Sequence, residues 1–310
     1  MDPELVMFCM VATPFLEDGA LDEVGLRVHV RRLVGAGQGI YLGSGGAGEG
    51  HVLTVDELRR IYDIGVQEAK GKVPVCANPR ESRSAQAMYE VAKQAVDADV
   101  DMVQLYQLDG GHGMIPTQIE QEAYFRELLD ELKHPVAISI HALAGYRATV
   151  PFLVDLCARY SQIAALNVMH PSNAYFMELR DALPASVRLY TMSTNLVHVL
   201  TLGASGALLA ENNVIPNICQ SIFDAYESGD LAAVSLGTQT LQRFDNIVYR
   251  WMPSTARWVK MAMKVLGQGN GVLRPPYQLP GEDEQRKMAT AFANMKIQDL
   301  EDRAMQRKLS

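Results

Sequence analysis

The chain has 310 residues, of which 48% are hydrophobic and 21% are charged, the composition of an ordinary globular protein. Its 28 Lys and Arg against 36 Asp and Glu give a formal net charge of -8, and it contains no long basic run. We therefore expect no nucleic-acid partner. Four scattered cysteines without a CxxC pair argue against a zinc framework or a disulfide scaffold.

The first segment, MDPELVMFCMVATPF, carries acidic residues early. It lacks a basic region followed by a long apolar run, so it predicts neither a signal peptide nor a membrane span. We expect a cytoplasmic protein without a membrane partner.

Short apolar runs of strand length alternate with longer segments of helical period over the first two thirds of the chain. Eight runs predict strands, at 6–13, 39–44, 73–78, 101–107, 135–141, 163–170, 187–193 and 203–211. Several are apolar on both faces, as buried parallel strands are. The amphipathic segments between them predict helices, for example at 22–37, 54–71 and 84–99. Eight such units predict an α/β fold, a closed (β/α)8 TIM barrel rather than an open doubly wound sheet.

Beyond the eighth run the pattern is helical only. We predict a barrel over residues 1–216 and a C-terminal helical region, packed on the barrel, over residues 217–310. No linker or low-complexity stretch separates the two parts. The final helix is rich in charged residues, which is typical of a solvated helix face.

A dense glycine run, LGSGGAGE, ends the second predicted strand at the edge where barrel enzymes place their working loops. A P-loop needs Gly-Lys-Ser/Thr, and here Gly48 is followed by Glu49. The spacing also lacks a dinucleotide fingerprint. The glycines could simply permit tight turns.

Five motifs in order resemble the dihydrodipicolinate synthase/N-acetylneuraminate lyase family: ATPF at 12–15, GGAGEGHVLTVDE at 45–57, VPVCANP at 73–79, LGASGALLAENNVIP at 202–216 and WVKMAMKVLGQGNGVLRPP at 258–276. The resemblance covers nearly the whole chain. In that family the glycine loop reads Gly-Thr-Thr-Gly-Glu and binds the carboxylate of a 2-oxo acid. Gly45, Gly46 and Ala47 then become candidate substrate-binding residues, without the two hydroxyls. We predict a structural role for Glu49, which would hold the backbone amides of the loop and take no part in the reaction.

The family's central residue is missing. Family members form a Schiff base on a lysine at the end of strand six, and Asn167 stands at that position. An amide nitrogen cannot add to a ketone, so this electron sink is lost. The two other lysines considered as substitutes, Lys133 before strand five and Lys260 in the C-terminal helices, do not lie on strand ends. We predict that Asn167 helps to stabilise an oxyanion instead.

Other parts of the family mechanism are altered as well. The proton-relay tyrosine on strand five is replaced by Ser139, a much weaker acid than a phenol. The family's second tyrosine falls at Gln107, beside a retained Tyr106, and both are candidate substrate-binding residues. Tyr106 could instead serve a subunit contact or fill the core.

New polar groups are expected at the same rim. The loop at 108–118 is longer than the resemblance implies and brings Asp109 and His112. Strand ends add His141, His170 and Glu211; we predict the two histidines as acid–base residues and Glu211 as substrate-binding. Their spacing gives no metal signature, so we expect no metal or other cofactor and keep a divalent ion as the alternative.

Arg147 lies near the family's carboxylate-binding arginine and could pair a substrate acid group, although the gap-free register places Ala144 there. The combined interpretation is a divergent lyase or hydro-lyase acting on a small carboxylated oxo- or hydroxy-acid without a lysine Schiff base. The alternative is a non-catalytic ligand-binding homologue, a sensor or scaffold that keeps the pocket. An ordinary pyruvate aldolase is disfavoured because no strand end carries a lysine. The family resemblance also implies a homo-oligomer, a dimer or a homotetramer.

Overall fold

The computed structural model describes residues 5–141, 144–251 and 254–309. Eight strands in these ranges form one closed barrel in chain order, and all neighbours pair in parallel. They are β1 (Val6–Met10), β2 (Gly39–Leu42), β3 (Val75–Ala77), β4 (Met102–Tyr106), β5 (Val136–His141), β6 (Ile163–Met169), β7 (Arg188–Thr191) and β8 (Gly206–Leu209). The predicted (β/α)8 TIM barrel is therefore confirmed.

Helices follow every strand. Those around the barrel are α1 (Glu23–Gly35), α2 (Val55–Ala69), α3 (Ala85–Asp97), α4 (Gln118–Glu131), α5 (Val150–Arg159), α6 (Asn173–Ala182), α7 (Leu196–Thr201) and α8 (Pro216–Glu227). The C-terminal extension adds α9 (Leu231–Val248), α10 (Thr255–Val265), α11 (Glu282–Met295) and α12 (Ile297–Leu309). None of the helices in the described ranges is long and apolar enough to cross a lipid bilayer.

The strands are shorter than the apolar runs that predicted them. The first run extends to residue 13, yet β1 ends at Met10. In the last run, 203–211, only the four residues of β8 form a strand. Val11 and Ala12 remain buried beyond the end of β1. Apolar character therefore continues past the last ladder hydrogen bond because the rim of the barrel is covered by other segments.

Capping residues start the barrel helices immediately after the loops at the carboxyl ends of the strands. For α1 to α6 a side-chain oxygen accepts a hydrogen bond from a backbone N–H of the first turn, at Asp22, Thr54, Ser84, Thr117, Thr149 and Ser172. Such a cap stabilises a helix by about 1 kcal/mol. The caps fix where each rim loop ends.

The lower part of the barrel interior is apolar. Phe8 packs edge-on against Tyr41 and Tyr190, with ring centroids 5.0 and 5.1 Å apart. Cys76, Met102, Ala137, Ala165, Met169 and Leu208 belong to the same inner cluster. Polar side chains in the interior are consequently concentrated toward the carboxyl ends of the strands.

The C-terminal helices are tied to the barrel through α8. Glu301 of α12 accepts hydrogen bonds from the backbone N–H groups of Asn217 and Ile218, at 2.7 and 2.9 Å, and so caps the first turn of α8. Helix α8 thus completes the eighth β/α unit and also packs on α9 and α12. A division of the chain at residue 216 remains a prediction.

Candidate active site at the carboxyl end of the barrel

Three neighbouring strands present polar side chains to the upper barrel interior. Tyr106 on β4 pairs in register with Ser139 on β5, and Ser139 pairs with Asn167 on β6. Alternate residues of a strand share one face. Since Ala137 and Ala165 belong to the inner apolar cluster, Ser139 and Asn167, two positions further on, also face inward. Both are buried.

Asn167 is oriented by a directional chain of hydrogen bonds. Its Nδ2 donates to Gln104 Oε1 at 2.5 Å and to the Tyr41 hydroxyl at 3.3 Å. Gln104 Nε2 in turn donates to Asn78 Oδ1 at 2.8 Å. Both amide hydrogens of Asn167 are therefore occupied by protein acceptors, which leaves its oxygen without a partner among the described residues. In this orientation Asn167 has no free hydrogen for the oxyanion-stabilising role that we predicted for it.

Two polar atoms at this level have no partner. Within the described residues, neither Asn167 Oδ1 nor Ser139 Oγ has a hydrogen bond, although each is fully enclosed. An unpaired buried polar group costs about 1–3 kcal/mol. Such a cost marks the two adjacent positions as polar groups that the barrel interior itself does not satisfy.

Tyr106 lies beside the same chain. Burial raises the pKa of its phenol well above the usual value, while Asn78, Gln104 and the backbone of Gly45 hydrogen-bond to the phenol and oppose that shift. The phenol therefore stays protonated at neutral pH. Through these contacts Tyr106 connects Asn78 and Gln104 in the barrel interior to the glycine loop.

The glycine loop has free backbone donors at its tip. Among the described residues, the N–H groups of Gly46 and Ala47 have no acceptor, and Gly46 is exposed. Two other glycines are needed for the tight turn: a Cβ at Gly48 would lie 2.7 Å from Ser44 N, and one at Gly50 would lie 2.3 Å from Gly43 O. The free N–H groups can hold a carboxylate.

Glu49 anchors this loop to the C-terminal region. It forms an ion pair with Lys260 and accepts a hydrogen bond from the Arg274 backbone N–H at 3.3 Å. Glu49 itself adopts a left-handed backbone conformation with φ of 54°. Its partners are thus distant in sequence, whereas the sequence had suggested the loop amides.

Glu81, between β3 and α3, was missed by the sequence reasoning. A Cβ at Gly45 would lie 2.6 Å from its Oε2, so the carboxylate rests against the glycine loop although the residue as a whole is exposed. Burial of the carboxylate and the charge of Asp109 raise the pKa of Glu81, while His51 lowers it. The signal in the sequence was an acidic residue three positions after Asn78, at the end of a strand.

His141 is the last residue of β5 and is partly buried. It lies two positions beyond Ser139 on the same strand face, and burial lowers the pKa of its imidazole. Gln107 Oε1 accepts a hydrogen bond from the His141 backbone N–H at 3.0 Å. Gln107 therefore braces the ends of β4 and β5 at this rim.

His170 and Arg147 meet further out. His170 Nδ1 accepts a hydrogen bond from the Ser172 N–H at 3.1 Å, and its ring packs edge-on against Tyr175 at 5.6 Å. The guanidinium of Arg147 lies 4.6 Å above the same tyrosine ring. Burial and then the Arg147 charge lower the pKa of His170. The pair forms a separate cluster over α6.

Glu211 belongs to a cluster between the barrel rim and α9. Its Oε1 accepts hydrogen bonds from the Tyr249 hydroxyl at 2.5 Å and from Ser193 Oγ at 3.1 Å. Burial, together with the charge of Glu211, raises the pKa of Asp245 to about 9. Asp245 is therefore protonated at neutral pH and shares its proton with Glu211.

Lysines are missing from the barrel wall. None of the eight strands contains one, and the buried Lys260 of α10 donates to Val272 O at 2.7 Å and pairs with Glu49. In the part of the chain that the structure describes, no three His, Cys, Asp or Glu residues are grouped closely enough to hold a metal ion.

A groove of about 340 Å³ lies elsewhere, between α8, α9 and α12. Its walls include Ile218, Leu236 and Leu300, with Asp224 and Arg303 at the edges. None of the residues of the barrel mouth lines it. The convergence of polar groups therefore favours the mouth as the functional site.

A profile of the Dihydrodipicolinate synthetase family matches residues 5–295. The chain belongs to this family. A 4-hydroxy-tetrahydrodipicolinate synthase of Bradyrhizobium diazoefficiens is 25% identical over 274 residues, covering 87% of this chain and 89% of that protein. An N-acetylneuraminate lyase of Clostridium perfringens is 24% identical over 287 residues, covering 89% and 94%. Both relatives are lyases of the aldolase type.

Solved structures of this family share the fold. Dihydrodipicolinate synthase from Aquifex aeolicus superimposes with a TM-score of 0.86 at 19% identity, covering 94% of this chain and 98% of the other. YagE, a prophage protein of the dihydrodipicolinic acid synthase family from E. coli K12 solved in complex with pyruvate, gives 0.85 at 22% identity, covering 94% and 99%. Eight strands and a helical C-terminal extension are thus common to the dihydrodipicolinate synthetase family and this chain.

Proposed function

We propose that this member of the dihydrodipicolinate synthetase family is a lyase or hydro-lyase that acts on a small carboxylated oxo- or hydroxy-acid without a lysine Schiff base. The observation that carries the proposal is Asn167 on β6, which is buried in the barrel interior and held by Gln104 and Tyr41. An amide at this position cannot form an iminium with a ketone. Catalysis must then rely on proton transfer and hydrogen bonding.

His141 supplies the proton-transfer role. The lowered pKa of His141 keeps the imidazole neutral at pH 7, so it can take a proton from the substrate. Burial raises the pKa of Tyr106, so its phenol stays protonated and can donate a hydrogen bond to a developing oxygen without transferring the proton.

The substrate carboxylate binds the free N–H groups of Gly46 and Ala47 at the tip of the loop. Gly45 contributes the wall of this subsite, and Ser139 lies on the floor. Arg147 and His170 form an outer cluster that a longer substrate would reach, and Gln107 and Glu211 hold the rim in place.

A non-catalytic ligand-binding homologue is the second candidate. The observation that favours it is the set of amides, Asn78, Gln104 and Asn167, that are hydrogen-bonded to one another rather than held near a reacting group. Such a pocket could bind a ligand without transforming it.

Borohydride trapping tests the absence of the Schiff base. The purified protein is incubated with pyruvate, reduced with borohydride and weighed intact by mass spectrometry. The wild type is expected to show no added mass, whereas Asn167→Lys is expected to gain a reduced pyruvyl adduct at residue 167. An adduct on any lysine of the wild type would refute the proposal.

Deuterium exchange distinguishes the enzyme from the binding protein. Small hydroxy- and oxo-acids are incubated with the protein in D2O, and loss of carbon-bound hydrogen is followed by proton NMR. The lyase proposal expects exchange above the rate without protein for at least one acid. Binding without exchange across the panel would favour the non-catalytic candidate.

We also propose a homo-oligomer, either a dimer or a tetramer, located in the cytoplasm. Support comes from the family, whose members are commonly oligomeric. Light scattering coupled to size-exclusion chromatography measures the molar mass directly. A monomer at micromolar concentration would refute the proposed oligomer.

A further inference from the structure

The carboxylate of Glu81 lies against the glycine loop at the mouth of the barrel. A Cβ at Gly45 would lie 2.6 Å from Glu81 Oε2 and 3.0 Å from Oε1. The nitrogen of Gly46 is two bonds from the Gly45 Cα, so it lies within about 7 Å of this carboxylate. Glu81 and Gly46 are both exposed. A ligand can therefore reach both residues from solvent without entering the packed interior of the barrel.

Glu81 has no cation in direct contact. Within the described residues it forms no ion pair. Arg83, two positions further on, lies 3.6 Å from Asp109 instead. The titratable groups that face Glu81 are His51 after the glycine loop, Asp109 after β4 and the Tyr106 phenol. Burial raises the pKa of Glu81 and Asp109 adds to the shift, while His51 opposes it.

A ligand carboxylate on the Gly46 and Ala47 N–H groups brings a second negative charge next to Glu81. Two carboxylates in one partly buried site disfavour each other's charge. Glu81 consequently binds a proton more tightly when the ligand is present. As a neutral carboxyl it can donate a short O–H···O hydrogen bond to the ligand carboxylate.

An ammonium group on the ligand is the other way to neutralise Glu81. It would lie beside the backbone N–H groups of the loop, and such donors attract anions rather than cations. The oxo- and hydroxy-acids of the proposed function carry no amino group. A proton is therefore the counter-charge that fits these ligands.

We propose that Glu81 is a substrate-binding residue that contacts the ligand carboxylate as a neutral carboxyl, so that a proton is taken up as the ligand binds. This inference rests on the proposed function in placing the substrate carboxylate on the glycine loop. It adds a pH dependence, because the liganded protein holds more protons than the free protein. Affinity should thus fall as the pH rises through the range between the free and the ligand-bound pKa of Glu81.

Isothermal titration calorimetry of the full-length protein tests the inference, with pyruvate and propionate as probes. Binding enthalpies in buffers of different ionisation enthalpy give the number of protons taken up, and affinities are measured from pH 5 to pH 8. The wild type is expected to take up protons and to lose up to about tenfold in affinity per pH unit. Glu81→Gln keeps the shape and has a permanent N–H donor, so it should bind without proton uptake and without this loss. Glu127→Gln, at an exposed position of α4, should behave as the wild type.

His51 is the other nearby group that could take up the proton. His51→Gln is expected to retain proton uptake, and uptake that survives in Glu81→Gln overturns the inference. Pyruvate binding to the wild type without proton uptake also overturns it and leaves the proposed function standing. Tighter binding of L-alanine than of pyruvate at pH 8 would show an ionised Glu81 that holds an ammonium group, against the inference. If neither pyruvate nor propionate binds the wild type, the carboxylate subsite of the proposed function fails together with this inference.

Discussion

Lys260 of α10 and Glu49 of the glycine loop form an ion pair in which 5% and 1% of the two side chains are exposed. The Lys260 ammonium also lies 4.2 Å from the centre of the Phe15 ring, and the Arg274 guanidinium lies 4.4 Å from it. Burial lowers the pKa of Lys260 to about 8, against the opposing charge of Glu49. The loop at the mouth is thus held by charges that water does not screen.

Removing one partner of this ion pair is expected to be strongly destabilising. Lys260→Met leaves the Glu49 carboxylate buried without a cation, which costs about 3–5 kcal/mol. Urea unfolding followed by circular dichroism measures the loss. Lys264→Met, at an exposed position of the same helix, should change stability by no more than about 0.5 kcal/mol. Equal stability of the two variants would contradict this account.

Two glycines of the loop should differ in their tolerance of alanine. A Cβ at Gly50 would lie 2.3 Å from the Gly43 carbonyl oxygen, so Gly50→Ala must displace backbone and should cost about 2 kcal/mol or more. A Cβ at Gly46 would meet nothing closer than Thr255 at 3.8 Å, and Gly46→Ala should be nearly neutral. Thermal unfolding of both variants checks the order. A larger loss for Gly46→Ala would disprove the steric argument.

Asp245→Asn should stabilise the protein above neutral pH. The folded pKa of about 9 lies above the ordinary 3.8 because of burial and the nearby Glu211. Between these values the folded state keeps a proton that the unfolded state has lost, so stability falls as pH rises. Asparagine carries no such proton and can still donate to Glu211. The melting temperature of Asp245→Asn should exceed that of the wild type by more at pH 8 than at pH 5.

The matched control is Asp224→Asn, at an exposed position of α8. Its difference from the wild type should be the same at both pH values. A pH-independent difference for Asp245→Asn would show that Asp245 is ionised in the folded protein.

His141→Gln should slow deuterium exchange of the substrate by about a hundredfold, the usual contribution of a general base. Burial lowers the pKa of His141, so the imidazole stays neutral, and active as a base, down to a pH below 6.5. As the pH is lowered, the exchange rate of the wild type should therefore begin to fall only below pH 6.5. This acidic decrease in the pH–rate profile should be absent in His141→Gln. His198→Gln, at an exposed position of α7, should retain the wild-type profile.

The barrel could be predicted because its signal is local. The alternation of strand and helix periodicity can be recognised in short sequence windows, and eight β/α units are the number that closes a TIM barrel. The ends of the strands could not be predicted in the same way. Val11 and Ala12 look like strand residues because they are buried, yet their burial comes from the rim rather than from a ladder.

The family resemblance placed Asn167 on strand six and Ser139 on strand five, and the structure pairs the two residues in the β5–β6 ladder. Their roles in a site remain predictions. The orientation of the Asn167 amide depends on Gln104 and Tyr41, which lie 63 and 126 residues away. The proton shared by Asp245 and Glu211 similarly depends on how α9 packs against the rim. No local pattern encodes such long-range contacts.

The caps and ion pairs supplied by the end of the chain have a consequence for synthesis on the ribosome. Glu301 caps α8, and Lys260 neutralises Glu49. A nascent chain that has emerged only through β8 has all eight strands but lacks both partners. We expect the loop that would receive a carboxylate to settle only once α10 and α12 have also emerged, so that a ligand binds the barrel together with these helices and not the barrel alone.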